Sequence, residues 1–303
     1  MNFFWTSIYL LTFLAIGKIY QHTKYYSINS SEYLSHLIIY FTSPILTLYT
    51  FIWRADKESL IEMSHIALAA IVITNIMLLV TIISAKVVSD KNIAGVFVLS
   101  STYSNTLFFG LPIIIAFFGE EALVPLIVYS TSHFACHIVF GTIAATYYSS
   151  KHMNYRMILR EIIKFPPFLA TLFGLLLLYF EIQPDIFVLR DSFRYIGHLT
   201  SPLALILLGM NLKLQITHKF EFFLTLIYKF VVIILITIAI TQAFALEPLS
   251  KKVIFFESLM PPAIFNFIIS KRYGLDKDFA ASIIFSLTLI SFPIIFALGM
   301  LVV

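Results

Sequence analysis

The chain has 303 residues, of which 60% are hydrophobic and only 12% are charged, against roughly 25% charged residues in soluble domains. This composition predicts an integral membrane protein. It argues against a soluble enzyme, a nucleic-acid-binding protein and a receptor with a folded extramembrane module, because no long polar stretch interrupts the apolar sequence. The net charge of +4 therefore needs a membrane explanation. The single cysteine, Cys136, excludes an intramolecular disulfide.

Apolar stretches follow one another along the whole chain, and at about 20 residues per span they predict ten transmembrane helices. They cover residues 2–19, 33–53, 64–86, 92–118, 121–148, 165–182, 191–212, 219–244, 249–270 and 278–303. The apolar residues 1–16 carry no basic residue, and the first one, Lys18, follows them, so we expect a retained span and not a signal peptide. A basic loop, residues 149–164, separates a first set of five spans (1–148) from a second set (165–303).

Lysine and arginine are distributed unevenly between the two sides of the membrane. Counted together with the adjoining ends of the stretches, the odd-numbered loops contain thirteen of the 20 basic residues and the even-numbered loops contain six, while Lys229 lies well inside the eighth stretch. The positive-inside rule then places the odd loops in the cytoplasm and both termini outside it. We expect the cell (inner) membrane as the location.

The two sets of five spans show traces of a duplication. The tripeptide Thr-Ser-Pro that begins at Thr42 recurs at Thr200, an offset of 158 residues. The same offset, within one residue, aligns the polar pair that begins at Ser104 with the proline pair that begins at Pro261. Because five is an odd number, the second set must enter the membrane in the opposite orientation, which is typical of inverted-repeat secondary transporters.

The fourth and ninth stretches contain residues that interrupt a helix. Two adjacent prolines remove two amide donors and clash with the preceding turn, whereas Ser and Asn can cap a new helix start. Broken backbone within a membrane needs protein or a water-filled cavity for its hydrogen bonds, and the amino end of each following half-helix favours a carboxylate. The alternative is that the prolines only kink packed helices. The candidate substrate-binding residues are Ser104, Asn105, Thr106, Pro261, Pro262 and Asn266.

The run Asn105-Thr106-Leu107, followed by Gly110, Pro112 and Phe118-Gly119, resembles a motif of the PIN-type auxin carriers and their bacterial relatives. The stretches SPLALILLGMNLKLQ, FPPFLATLFGLLL and MPPAIFNFIISKRYG are similar to patterns of the same auxin efflux carrier family. The resemblance covers nearly all of the chain, and we expect a bacterial member of this family. It implies proton-linked or facilitated transport of organic anions, with two crossing broken helices and an Asn, here Asn105, that contacts the substrate carboxylate.

The sequence departs from the family pattern in three places. The family's first crossover commonly has proline before the Asn, where this chain has Ser104. The PIN-type carriers have an acidic residue on the third span, but no acidic residue occurs from His65 to Ala85. The long cytoplasmic loop of many plant members is also absent. The coupling mechanism of the plant carriers therefore does not transfer to this chain.

Two ionisable carboxylate or amine groups lie well inside predicted spans, and such groups are functional candidates by default. Glu257 precedes Pro261 by four residues and is a candidate for proton coupling; alternatively it forms a structural ion pair with Lys229. His133 is a second candidate for the proton, since histidine titrates near neutral pH. Tyr103 could stack on an aromatic substrate, although closing the cavity is the more ordinary role.

His133, Cys136 and His137 form a set that could bind a soft metal. Hydrogen bonding between helices is the favoured interpretation, because no HExxH motif and no neighbouring carboxylate accompany them. We therefore predict no cofactor and no metal.

The combined prediction is an all-α carrier that moves small organic anions, such as auxin-like or malate- or malonate-like carboxylates, by elevator-type alternating access. Its partners would be the substrate, the lipid bilayer and a second copy of the chain in a homodimer, without nucleic acid. Spans one, two, six and seven would form the scaffold and the dimer interface, as the family resemblance implies. Alternatives are a sodium-coupled carrier of the bile-acid symporter type, a sensor that does not transport, and a membrane-embedded enzyme.

Overall fold

A computed structural model describes residues 3–149, 164–212 and 214–302. These residues form helices, without any β-strand among them. In chain order the helices are α1 (Phe3–Gln21), α2 (Asn29–Trp53), α3 (Lys57–Val87), α4 (Lys91–Thr102), α5 (Thr106–Phe118), α6 (Glu120–Tyr148), α7 (Pro166–Tyr179), α8 (Phe187–Asn211), α9 (Lys219–Ala243), α10 (Pro248–Leu259), α11 (Ile264–Tyr273) and α12 (Lys277–Val302). The predicted all-α class is confirmed.

Six of the helices in the described ranges are long and apolar enough to cross a membrane, namely α2, α3, α6, α8, α9 and α12. Shorter apolar helices occur within α1 and at α5 and α7. Helices α4, α10 and α11 have 12, 12 and 10 residues. At 1.5 Å per residue each is about 15–18 Å long, less than the roughly 30 Å of the hydrocarbon core.

Some predicted boundaries differ from the structure. Helix α8 begins at Phe187, before the predicted start at residue 191, so Arg190 belongs to a helix and not to a loop. The charged first half of α8 lowers the local hydropathy, which hides this extension from an apolar-stretch search. The basic loop predicted at residues 149–164 falls almost entirely outside the described residues, at 150–163.

The helices pack in two groups. In the first, α1 packs on α8, α7 packs on α2, and α2 also packs on α8. In the second, α3 packs on α6 and α4, α9 packs on α10 and α3, and α4 contacts α6, α9, α11 and α12. Helix α5 lies between the groups, in contact with α1 and α8 of the first and with α6 and α10 of the second.

An ionic contact joins the two groups near the turn between α5 and α6. Glu120 lies 3.1 Å from the Nε2 atom of His198 on α8 and 3.8 Å from the Nε atom of Arg54 after α2. It also accepts a 3.4 Å hydrogen bond from the hydroxyl of Tyr49. The turn itself requires Gly119, whose φ of 74° lies in the region that glycine adopts freely.

Candidate functional site

Two helix breaks lie against each other in the interior of the protein. The first separates α4 from α5 at residues 103–105, and the second separates α10 from α11 at residues 260–263. The amide of Asn105 donates to the carbonyl of Pro261 at 2.7 Å, and the amide of Ala263 donates to the carbonyl of Tyr103 at 3.0 Å. Ser104 and Pro262 thereby form an antiparallel bridge. Each break thus supplies backbone hydrogen bonds that the other lacks, as buried irregular backbone requires.

Asn105 caps the amino end of α5. Its side-chain oxygen accepts a 3.2 Å hydrogen bond from the amide of Phe108, so the capping predicted from the sequence is confirmed. The side chain is only 3% exposed, and its Nδ2 group has no hydrogen-bond partner. A buried amide donor without a partner is uncommon, because it loses its hydrogen bonds to water without compensation.

The first turn of α5 is a π-turn, Thr106–Gly110. The amides of Phe109 and Gly110 both donate to the carbonyl of Asn105, and the carbonyl of Thr106 accepts from Leu111. The amides of the first residues of a helix have no acceptor within that helix. The amino end of α5 therefore presents donors and a partial positive charge beside the Asn105 side chain.

Asn266 lies on α11, one turn after the second break. Its Nδ2 group donates to the carbonyl of Tyr103 at 3.3 Å, while its Oδ1 atom has no hydrogen-bond partner. The structure therefore brings Asn266 to the first break, together with Pro261 and Pro262. Its bond to the backbone shows that it ties the two breaks together.

Ser104 is the centre of a buried polar network. Its amide donates to the Nε2 atom of His133 at 2.9 Å, and its hydroxyl donates to the carbonyl of Ser258 at 3.1 Å. Because an amide only donates, Nε2 of His133 must be unprotonated, and the proton of the neutral ring resides on Nδ1. That atom is 2.9 Å from the hydroxyl of Thr74 on α3. His133 is thus held as a neutral imidazole between α3 and the first break.

The two candidate charges contact different residues near the first break. The ammonium of Lys229 donates to the hydroxyl of Ser104, whereas the carboxylate of Glu257 lies against Gly110 on α5. Both side chains are fully buried. No ion pair joins them within 4 Å, so the structural ion pair considered from the sequence is not formed. Neither oxygen of Glu257 has a hydrogen-bond partner within normal geometry, although the hydroxyl of Ser130 is close to it.

The remaining polar side chains of this region contact one another, but the Tyr103 hydroxyl and the His137 Nε2 atom have no hydrogen-bond partner. The ring of Tyr103 stacks on His137 with centroids 4.1 Å apart, so one face of the tyrosine is covered by protein and not open to a substrate. Cys136 receives a 3.7 Å contact from the amide of Asn75. In the described part of the chain no three His, Cys, Asp or Glu side chains are grouped as metal ligands. His133 hydrogen-bonds residues outside its own helix, as the favoured interpretation expects, whereas His137 stacks on Tyr103.

Sequence reasoning missed the contact between Lys229 and Ser104 and the contact between Glu257 and Gly110. No local signal reveals either contact, since each joins helices that are more than a hundred residues apart in the chain. One indirect signal is the glycine itself, because Gly110 follows the first break at the place where the Glu257 carboxylate leaves no room for a side chain.

Comparison with known proteins identifies the class of the chain. The family model described as "Membrane transport protein" matches residues 6–298. An uncharacterised transporter of Methanocaldococcus jannaschii is 24% identical over 298 residues, covering 94% of this chain and 95% of the relative. An uncharacterised transporter of Methanothermobacter thermautotrophicus is 22% identical over 289 residues, covering 94% of each chain.

The chain belongs to the membrane transport protein family, which is the auxin efflux carrier family indicated by the sequence motifs. It is therefore a multi-pass membrane protein of a transporter family and not an enzyme. Both relatives are archaeal, whereas the sequence motifs led us to expect a bacterial member of the family.

Proposed function

We propose that the chain is a secondary carrier that moves small organic anions across the cell (inner) membrane by elevator-type alternating access. The observation that carries the proposal is the unpartnered, buried Nδ2 group of Asn105 at the amino end of α5. That donor, the first amides of α5 and the helix dipole together favour a carboxylate. Auxin-like and malate- or malonate-like acids are the substrate classes to test.

In this proposal α4 with α5 and α10 with α11 each form one interrupted span, which gives ten spans in two inverted repeats of five. The bridge between Ser104 and Pro262 supports the duplication, because these residues differ by 262 − 104 = 158 positions, the offset found in the sequence. With ten spans, and with the basic residues concentrated in the odd loops, both termini lie outside the cytoplasm.

The two packed groups of helices supply the parts of an elevator. Helices α1, α2, α7 and α8 would form the scaffold and the interface of a homodimer, while the helices around the breaks would move with the substrate. Cysteine pairs placed across the contact of α5 with α8 test this arrangement. We expect their cross-linking to change when the substrate gradient is reversed, and an unchanged pattern would refute the relative movement.

Glu257 is the proposed carrier of the coupling proton. Its carboxylate lies against the first turn of α5, close to the site proposed for the substrate anion, and it is fully buried. An ionised carboxylate there would repel the anion, so we expect Glu257 to be protonated when the substrate binds. His133 is the second candidate, but protonating its Nε2 atom would break its bond to the amide of Ser104.

Counterflow in proteoliposomes tests the function without knowledge of the coupling ion. Vesicles are preloaded with each of a panel of unlabelled carboxylates, and uptake of the labelled acid is followed without an ion gradient. We expect accumulation with at least one acid. A proton gradient, but not a sodium gradient at fixed pH, should then drive net uptake; the reverse would favour the sodium-coupled alternative. If folded protein accumulates none of the labelled acids of the panel, the proposed substrate class is refuted.

Asn105→Ala tests the position of the site. The variant lacks the buried amide that would donate a hydrogen bond to the charged carboxylate. Such a hydrogen bond contributes about 1.5–3 kcal/mol, so its loss corresponds to roughly 10- to 150-fold weaker binding. The matched control is Asn211→Ala, because the Asn211 amide donates to a carbonyl of its own helix, at Leu207. Equal affinity of the Asn105 variant and the wild type would refute the assignment.

A further inference from the structure

Lys229 is a buried charge to which the proposed transport cycle assigns no role. It lies on the π-turn Tyr228–Val232 of α9 and is 0% exposed. A π-turn inserts one extra residue into a helix and is frequent at functional sites. A lysine at this depth is costly unless it has a counter-charge or lines a pathway.

The surroundings of Lys229 contain no such counter-charge. Of the carboxylates in the described ranges, none lies within 4 Å of its ammonium. The acceptor that it does have is the hydroxyl of Ser104. The single proton of that hydroxyl is already donated to the carbonyl of Ser258, so its lone pairs face the ammonium, and Lys229 is the donor.

The ammonium is therefore fixed at the first helix break. Ser104 immediately precedes Asn105, whose buried Nδ2 group lacks a partner. The break thus gathers one cation, one free amide donor and the amino end of α5. The carboxylate of Glu257 lies against Gly110 and forms no ion pair with the lysine within 4 Å. What this arrangement lacks is a negative charge from outside the chain.

We propose that Lys229 provides the positive charge that binds the substrate carboxylate, and that Ser104 positions its ammonium at the first break. This inference rests on the proposed carrier function and deepens it. With a cation at the site, the ligand must be an anionic carboxylate, and a neutral amide of the same acid should be a poor substrate. A neutral Glu257 beside this pair leaves the loaded site with balanced charges.

Lys229→Met removes the charge and preserves most of the side-chain volume. Losing one partner of a buried charge pair should weaken carboxylate binding at least roughly 30-fold, measured by counterflow at varied substrate concentration. Lys219→Met is the matched control, since Lys219 begins the same helix but is exposed. Equal affinity of the Lys229 variant and the wild type would refute the inference, while wild-type counterflow would still support the carrier function.

Thermal unfolding separates binding from a structural role. Without substrate, Lys229→Met should melt at the wild-type temperature or above it, because an uncompensated buried charge is gone. The substrate-dependent rise in melting temperature should disappear. A lower melting temperature with the substrate-dependent rise retained would mean that the lysine is structural, which overturns the proposal.

Ser104→Ala provides a second variant if Lys229→Met does not fold. This change removes the hydroxyl that holds the ammonium and leaves the charge in place. We expect about tenfold weaker carboxylate binding, the loss of one hydrogen bond to a charged group. Wild-type affinity in Ser104→Ala would then refute the positioning of Lys229.

Discussion

The close contact between α1 and α8 predicts that adding one methyl group will separate the two helices. A Cβ atom on Gly209 would collide with the carbonyl oxygen of Leu14 and would lie only 3.0 Å from its carbonyl carbon. A Cβ atom on Gly17 would likewise collide with the carbonyl oxygen of Ile206 and lie 2.9 Å from its carbonyl carbon. These obstacles are backbone atoms and cannot rotate away. The two glycines therefore set the distance between the helices, as small residues do in membrane proteins.

The magnitude follows from two opposing effects. Overpacking destabilises the protein by about 1–3 kcal/mol per site, whereas replacing glycine by alanine stabilises the helix itself by up to about 1 kcal/mol. We expect Gly209→Ala and Gly17→Ala each to lower the free energy of unfolding by about 1–2 kcal/mol. Once one alanine has moved the helices apart, the second meets less resistance. The double variant should therefore cost less than the sum of the single variants.

Unfolding in mixed micelles with increasing SDS measures these differences. Ala15→Gly is the control for helix propensity, because Ala15 lies on α1 at an exposed position; it should cost up to about 1 kcal/mol. Two results would refute the claim that the two glycines share one contact. One is that Gly209→Ala stabilises the protein, and the other is that the changes in the free energy of unfolding of the single variants add fully in the double variant.

Two further variants probe the helix breaks. His133→Phe keeps an aromatic ring but leaves a buried backbone amide at the first break without an acceptor, so the free energy of unfolding should fall by about 1–3 kcal/mol; unchanged unfolding in SDS would contradict the network. Gly110→Ala would place a Cβ atom against the carboxylate of Glu257. Because the end of a flexible side chain can move, this variant should fold but show an altered pH dependence of transport, and a wild-type pH profile would contradict the contact.

The sequence predicts the helix breaks because their causes are local. The proline pair at Pro261 ends a helix whatever surrounds it, and Asn105 caps the following helix through an atom three residues away. The internal repeat predicted from the sequence adds the expectation that the two breaks are related, and the structure pairs them through Ser104 and Pro262. The local chemistry of these residues therefore predicts both helix breaks, at which we propose the site.

The electrostatic arrangement of the site could not be predicted in the same way. Lys229 and Glu257 lie on consecutive predicted spans and have opposite charges, so an ion pair between them is the simplest expectation from the sequence. Which charge contacts which helix depends on how α9 and α10 pack, and apolar helix faces have no sequence signature for their partner. The structure directs the lysine to Ser104 and the glutamate to Gly110.

The separation of these two charges makes a definite prediction for Glu257→Gln. Neither carboxylate oxygen has a hydrogen-bond partner and no ion pair is lost, so a neutral amide of the same shape should leave the melting temperature unchanged. If Glu257 carries the coupling proton, counterflow of the substrate acid should persist in this variant. Counterflow exchanges one substrate molecule for another, and this exchange needs no change in the protonation of residue 257. Accumulation driven by an inward proton gradient should disappear.

The control is Glu247→Gln, an exposed acidic residue just before α10, which should respond to the proton gradient as the wild type does. Proton-driven accumulation that survives in Glu257→Gln would exclude this residue as the proton carrier. The proton would then have to bind elsewhere, and His133 is the remaining candidate at the breaks. Because its protonation detaches the amide of Ser104, coupling through His133 would require the first break to rearrange in every cycle, whereas Glu257 can exchange its proton without disturbing the backbone.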